Sequence, residues 1–277
     1  MDSLIFAIGG NASGWAAMFM KEFWERDAKL LDQSFKDYHV KARDTAKKRL
    51  FEFLDELRNR VNSFEELMQK NPEVKKLVQA TFSDPDFYML QINAMIASTR
   101  TSSKEKHKLL ARIISEQFVI DKESWKAIAV DAAVRALPHL SAVQLRCLGA
   151  LAMTYGERPD LSGNDIVPDQ FHDWWSHVLE EMFSPLLPLG KTGEMDYTHL
   201  VSLACSTYEF VGYRNLERVL SPPNNPKFKW EATRFLTESP VGKELTEAWK
   251  AGMQRAYPTS VGRLIGLHFR DLLLEAK

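Results

Sequence analysis

The chain has 277 residues, 45% hydrophobic and 26% charged, with 36 basic against 37 acidic side chains and a formal net charge of -1. These proportions exclude a disordered, collagenous or polytopic membrane protein, and the neutral balance excludes a nucleic-acid binder held by bulk charge. Cys147 and Cys205 are too few for a disulfide framework or a thiolate zinc site, and point to a reducing, cytoplasmic compartment.

Residues 3–20 carry no charge. The run sets Leu4, Ile5, Phe6, Ile8, Trp15 and Phe19 around Gly9, Gly10 and Gly14. It begins Met1-Asp2-Ser3 without the basic start of a secretory signal, so export is not expected. Its middle, Gly9-Gly10-Asn11 with Ser13 and Gly14, is too polar and flexible for a stable lone membrane span. Gly10 and Gly14 stand at the spacing that lets apolar helices approach closely. The segment reads as an apolar arm that docks on protein, with conditional membrane insertion as the alternative.

From Trp15 to Val61 there is neither Gly nor Pro, and apolar residues recur at steps of three and four through Phe35, Leu50, Phe53, Leu54, Leu57 and Val61. That pattern predicts a long amphipathic helix, or two with a bend near Tyr38 to Lys41. The basic cluster Lys41, Arg43, Lys47, Lys48 and Arg49 is diluted by Asp44 and Glu52, so it reads as a solvated face. Asn71-Pro72-Glu73 and Ser83-Asp84-Pro85-Asp86 each place a capping side chain before a proline at the first helical position. Ser102 with Glu105 has capping-box spacing. Further helices are expected from Asp121 to Leu137 and from Ser141 to Gly156.

Pro159, Gly163, Asn164 and Pro168 mark the clearest loop, and with it the expected boundary between helical parts at 21–156 and 157–277, packed as one body behind the 1–20 segment. Beyond it the pattern predicts helices over 169–183, 196–213, 241–257 and 260–275, with Ser260 capping the last. Gly262 and Gly266 stand four apart on that apolar helix and predict a close helix contact. No run of alternating strand residues appears, so the fold class is all-α: a multi-helix bundle or irregular helical stack with a long N-terminal amphipathic helix.

The strongest chemical constellation is Asp169, His172 and Asp173, which one helix face can bring toward a divalent cation. His177 lies five residues past His172 and misses the one-turn spacing of paired metal-binding imidazoles. The reading preferred is an amphipathic helix whose Trp175, Leu179 and Phe183 make core. Cys147 and Cys205 sit in apolar helical settings and read as small buried residues, not thiolates. Gly190-Lys191-Thr192 lacks the glycine five residues earlier that a phosphate loop needs, since Pro185 stands there. The Arg and aromatic residues over 208–218 offer a surface for an acidic partner, or the ordinary dressing of a helix end. No cofactor and no nucleic acid are expected.

Ser83-Asp84-Pro85-Asp86-Phe87, the helix that follows to Thr101, Leu109-Leu110-Ala111-Arg112-Ile113-Ile114, and Thr259-Ser260-Val261-Gly262-Arg263-Leu264-Ile265-Gly266 together resemble a bacterial family of largely helical proteins without an assigned activity. The resemblance covers most of residues 41–277 and implies a bacterial intracellular origin and an all-α body. It carries no catalytic residue across and leaves residues 3–20 unexplained. The functional expectation is a non-enzymatic helical interaction or scaffold protein that forms a homo-oligomer or holds a protein partner, with residues 1–20 contributing to assembly. The alternative is a membrane-perturbing effector of toxin or phage-defence type. A metal-dependent enzyme stands third.

Overall fold

The computed structural model describes residues 33, 35–36, 38–120, 122–155, 170–190, 192–222 and 230–276. Its described residues form helices with one small two-stranded sheet, an all-α stack. The chain divides into two compact units that part between Pro138 and His139. The loop expected over 157–168 and the apolar segment 3–20 lie outside the described residues.

In the first unit, helix α1 (Val40–Lys70) presents Ala46, Leu50, Phe53, Leu54, Leu57 and Val61 as a buried stripe at helical spacing. Burying each of these larger side chains stabilises the unit by about 1.5–3 kcal/mol. The chain turns just before α1, where the bend was expected, and the helix runs past Val61 because nothing breaks it before Pro72. Asn71 ends one helix and starts the next. Its backbone N–H donates to Leu67 O at 2.9 Å, while its Oδ1 accepts from Glu73 N at 3.0 Å and opens α2 (Pro72–Phe82). Pro72 at the first helical position has no N–H to continue α1's ladder. Asp84 repeats the device for α3 (Pro85–Thr99), accepting from Asp86 N at 3.0 Å.

Helix α4 (Lys104–Glu116) starts one residue later than expected: Ser103, not Ser102, accepts from Lys106 N at 3.3 Å, and its hydroxyl donates to Glu105 Oε2 at 2.8 Å. Either of two adjacent serines satisfies the sequence pattern, and the backbone selects between them. Helix α5 (Trp125–Ala136) starts at Ser124 instead of Asp121, with Ser124 Oγ accepting from Ala127 N at 3.3 Å. Helix α4 packs on α1, and α3 packs on both α1 and α5. One polar contact runs from this core to the surface at Glu52. His107 is wholly buried, its Nε2–H donates to Ser98 O at 3.1 Å, and its Nδ1 lies 3.5 Å from Glu52 Oε2, linking α4 to α3 and α1.

The second unit contains α6 (Ala142–Tyr155), α7 (Phe171–Phe183), α8 (Glu194–Ser202), β1 (Ser206–Tyr208), α9 (Leu216–Leu220), α10 (Ala232–Glu238), α11 (Pro240–Lys250), β2 (Ala256–Pro258) and α12 (Ser260–Glu275). Its centre is the packing of α12 against α6. There Gly266 approaches so closely that a Cβ would stand 2.3 Å from Leu148 O, and one on Gly262 would stand 1.8 Å from Cys205 O. Both are far inside the closest approach of real carbon atoms, so only glycine permits this approach. Helix α7 buries Phe171, Trp175, Leu179 and Phe183, one face at steps of four. Trp175 Nε1 donates to Leu220 O at 3.0 Å.

Helix boundaries in the second unit also depart from expectation. The helix expected over 196–213 stops at Ser202, because Ala204 takes a left-handed φ of 56° and the chain leaves as β1. The helix expected over 241–257 stops at Lys250, and Gly252 turns at φ 145° into a one-turn 3-10 helix and β2. A Cβ on Gly252 would meet the Tyr197 ring at 2.7 Å, so the turn requires glycine on both conformational and steric grounds. The strands pair antiparallel, with Ser206 opposite Pro258 and Tyr208 opposite Ala256. Finally, Thr259 and not Ser260 caps α12, its Oγ1 accepting from Gly262 N at 3.2 Å.

Candidate functional site

The sequence-derived candidates separate once placed. Leu4, Ile5, Phe6, Ile8, Gly10, Gly14, Trp15 and Phe19 lie outside the described residues, as does Asp169. His172 is half-buried in the first turn of α7, where its Nδ1 accepts from Glu231 N at 3.2 Å, and Asp173 is exposed beside it. A backbone donor thus occupies the imidazole lone pair that a metal would need. Among the described residues no three or more His, Cys, Asp or Glu side chains gather closely enough to hold a metal ion. His177 instead pairs along the helix with Glu181 at 3.3 Å, both exposed.

Both cysteines are buried, and burial pushes each thiol up to about 12. They are inert packing groups at neutral pH. Gly262 and Gly266 are spent on the α6 and Cys205 contacts within their own unit. Among the described residues no helix is long and apolar enough to cross a membrane.

The arrangement that stands out lies where β1 leaves the sheet. Glu209 N donates to Arg255 O at 2.9 Å and Arg214 N donates to Gln254 O at 3.0 Å, so the backbone is pinned on both sides of a four-residue bulge. Between these pins the bulge projects Phe210, Val211 and Tyr213, which are 70, 91 and 75% exposed. Gly212 supplies the turn at φ 102°, a conformation that disfavours any residue with a Cβ. Apolar side chains projecting this far on a loop with so little freedom are unusual on a water-facing surface.

Arg214 is the brace behind this tip. Its guanidinium carbon lies 4.5 Å from the Tyr155 ring centroid, 4.4 Å from Trp249 and 4.6 Å from Tyr257. One Nη2 donates to Met253 O at 3.0 Å and also to Ala256 O. Trp249 Nε1 returns a bond to Arg214 O at 2.9 Å, and Tyr257 Oη donates to Glu209 Oε2 at 3.3 Å. The three ring faces supply negative quadrupole where an acidic residue would ordinarily sit, a contribution of about 0.5–2 kcal/mol per ring. Burial lowers the Arg214 pKa, yet a guanidinium remains charged in any case. Burial likewise raises the Tyr155 pKa, and its hydroxyl has no hydrogen-bond partner among the described residues.

Chemically this cage offers no nucleophile and no proton donor poised near neutrality. What it does is hold a cation rigidly under an apolar loop. The sequence pointed at the 208–218 stretch through its Arg and aromatic content. It did not associate Arg214 with Tyr155, Trp249 and Tyr257, because those rings come from α6, α11 and β2, each distant along the chain.

Comparisons with the curated proteins and with the solved structures find no match. The model of an uncharacterised family matches residues 17–229. That span takes in the first unit's described helices, the braced loop and Arg214, and stops short of the Thr259 to Gly266 motif. With well over half of its length matched, the chain belongs to this family.

Proposed function

We propose that the protein is a non-enzymatic helical interaction module that self-associates, with the braced tip Phe210-Val211-Tyr213 as a principal contact. The observation that supports this most is the combination of exposure and rigidity: three large apolar groups stand in water on a loop pinned at both ends and braced by Arg214. Flexible apolar loops lose conformational entropy on binding, whereas a pinned one has already lost it on folding. Aromatic side chains near the centre of a contact also contribute most of its affinity. The near-zero net charge places no long-range repulsion between copies. The apolar segment 3–20 contributes further contact area in this reading.

The test is light scattering on the full chain over a concentration series, beside the triple variant Phe210→Ser, Val211→Ser, Tyr213→Ser. These side chains are exposed, so the variant keeps its fold. The reading expects a mass above the monomer for the natural chain and a shift toward monomer for the variant. A monomer at every accessible concentration, or a variant that assembles like the natural chain, contradicts it.

A further inference from the structure

The first unit carries a cleft of about 180 Å³ between α3 and α5, and its chemistry is two-sided. Its floor is apolar, built from Phe87, Leu90 and Val130, all of them buried, with Ile120 beside them. Its rim is acidic, with Asp84 and Asp86 on one side and Asp131 on the other. Lys122 is the only cation among the described residues that line it. The cleft is smaller than the usual small-molecule pocket of about 300–1,000 Å³, and its size suits one extended side chain.

The rim already holds one ammonium of its own chain. Lys122 places its ammonium on Asp84 Oδ2 at 2.5 Å, although that lysine side chain remains 60% exposed. Asp131 is occupied by Asn93 Nδ2 at 2.8 Å and by Arg135. Asp86, by contrast, is exposed and its carboxylate makes no hydrogen bond or ion pair among the described residues. Met89, 53% exposed, follows Asp86 by three residues on α3, and Ile128, 73% exposed, precedes Asp131 by three on α5. By helical spacing each apolar group neighbours a rim carboxylate. An apolar floor and a carboxylate left over suit a flexible methylene stem ending in a positive charge.

We propose that the α3–α5 cleft binds a lysine side chain presented by a partner protein, its stem on Phe87, Leu90 and Val130 and its ammonium on Asp86. This is a second contact, in the other unit, and does not depend on the 210–213 tip. A basic surface segment is therefore the class of partner the first unit recruits. Lys122 competes at the rim by holding Asp84.

The experiment titrates three probes into the full chain and follows backbone amide shifts by two-dimensional NMR: Nα-acetyl-lysine methylamide, Nα-acetyl-norleucine methylamide and n-butylamine. The lysine probe is expected to move the amides of Asp86, Phe87, Val130 and Asp131 with one saturating curve. The norleucine probe, with an equivalent stem and no charge, is expected to bind about tenfold more weakly, a difference of about 1.4 kcal/mol. Asp86→Asn, at an exposed position, is expected to weaken the lysine probe by about two- to fivefold, the range of exposed ion pairs. Lys122→Ala is expected to strengthen it by a similar factor, a gain that mere loss of structure would not produce. Shifts that do not saturate, equal binding of norleucine, or no change in either variant would overturn the proposal. Butylamine binding more tightly than the lysine probe would assign the cleft to a free amine and overturn the partner protein as its source.

Discussion

Arg214 illustrates how one residue couples a buried cation to an exposed surface. Its planar guanidinium can lie among three rings and still reach the carbonyls of Met253 and Ala256, a combination the compact ammonium of lysine lacks. Arg214→Lys is therefore expected to lower unfolding stability by about 1–3 kcal/mol in urea titration, even though the charge is kept. Tyr155→Phe removes a buried hydroxyl without a partner among the described residues and keeps the ring, so stability should stay level or rise by up to about 1 kcal/mol. A lysine variant as stable as the natural chain would refute the brace.

The two thiols make a separate residue-scale prediction. Burial holds each pKa at about 12 against an ordinary value near 9, so the folded state keeps its protons when the unfolded chain loses them. The sign follows: their contribution to stability is complete below pH 9 and is lost as pH rises toward 12. Urea melts between pH 7 and 11 should show a plateau and then a decline, with a shallower decline in the Cys147→Ala, Cys205→Ala variant. Iodoacetamide at pH 8 should leave both thiols unmodified until the protein is unfolded. Modification of the native protein at the rate of a free thiol contradicts their burial.

At the scale of elements, the close approach of α12 to α6 is a backbone-to-backbone contact that only hydrogen at Cα allows. Gly266→Ala would drive a methyl to 2.3 Å from Leu148 O, and a main-chain atom cannot rotate aside as a side chain can. The helices must separate, at an expected loss of about 2–4 kcal/mol in chemical denaturation. Gly193→Ala meets nothing within 4 Å and serves as the control, within about 1 kcal/mol of the natural chain. Equal stability of the two variants would show that α12 does not rest on α6 this closely.

The same elements show what was legible in the sequence. Helix starts at Asn71-Pro72 and Asp84-Pro85 were readable because a cap and a proline act within three residues of each other. The Ser102 to Ser103 shift shows the limit of that signal, since adjacent serines are equivalent until the backbone is fixed. Strands β1 and β2 were missed because three residues are too short for an alternating period, and because their pairing joins residues about fifty apart. Gly252 carried the missing clue, but Ala251 and the apolar Met253 preserved a helical rhythm across it. The Arg214 cage was illegible for a stronger reason: its rings converge from three distant elements, and no local spacing encodes that meeting.

For the whole molecule, near-neutral charge conceals surfaces of opposite character. The first unit has a cleft with a carboxylate rim, and the second has an apolar tip on a pinned loop. The family match covers the residues that line the cleft and the tip residues Phe210, Val211 and Tyr213, and ends before Trp249, Gln254, Arg255 and Tyr257, which pin and brace the tip. The central claim, that copies of the chain meet through the Phe210-Val211-Tyr213 tip, is tested most directly by hydrogen exchange read by mass spectrometry on the full chain at low and high concentration. The account predicts that peptides spanning residues 206–215 gain protection as concentration rises, together with the growth in mass, and that the triple serine variant loses both. Growth in mass with unchanged exchange over those residues would contradict it.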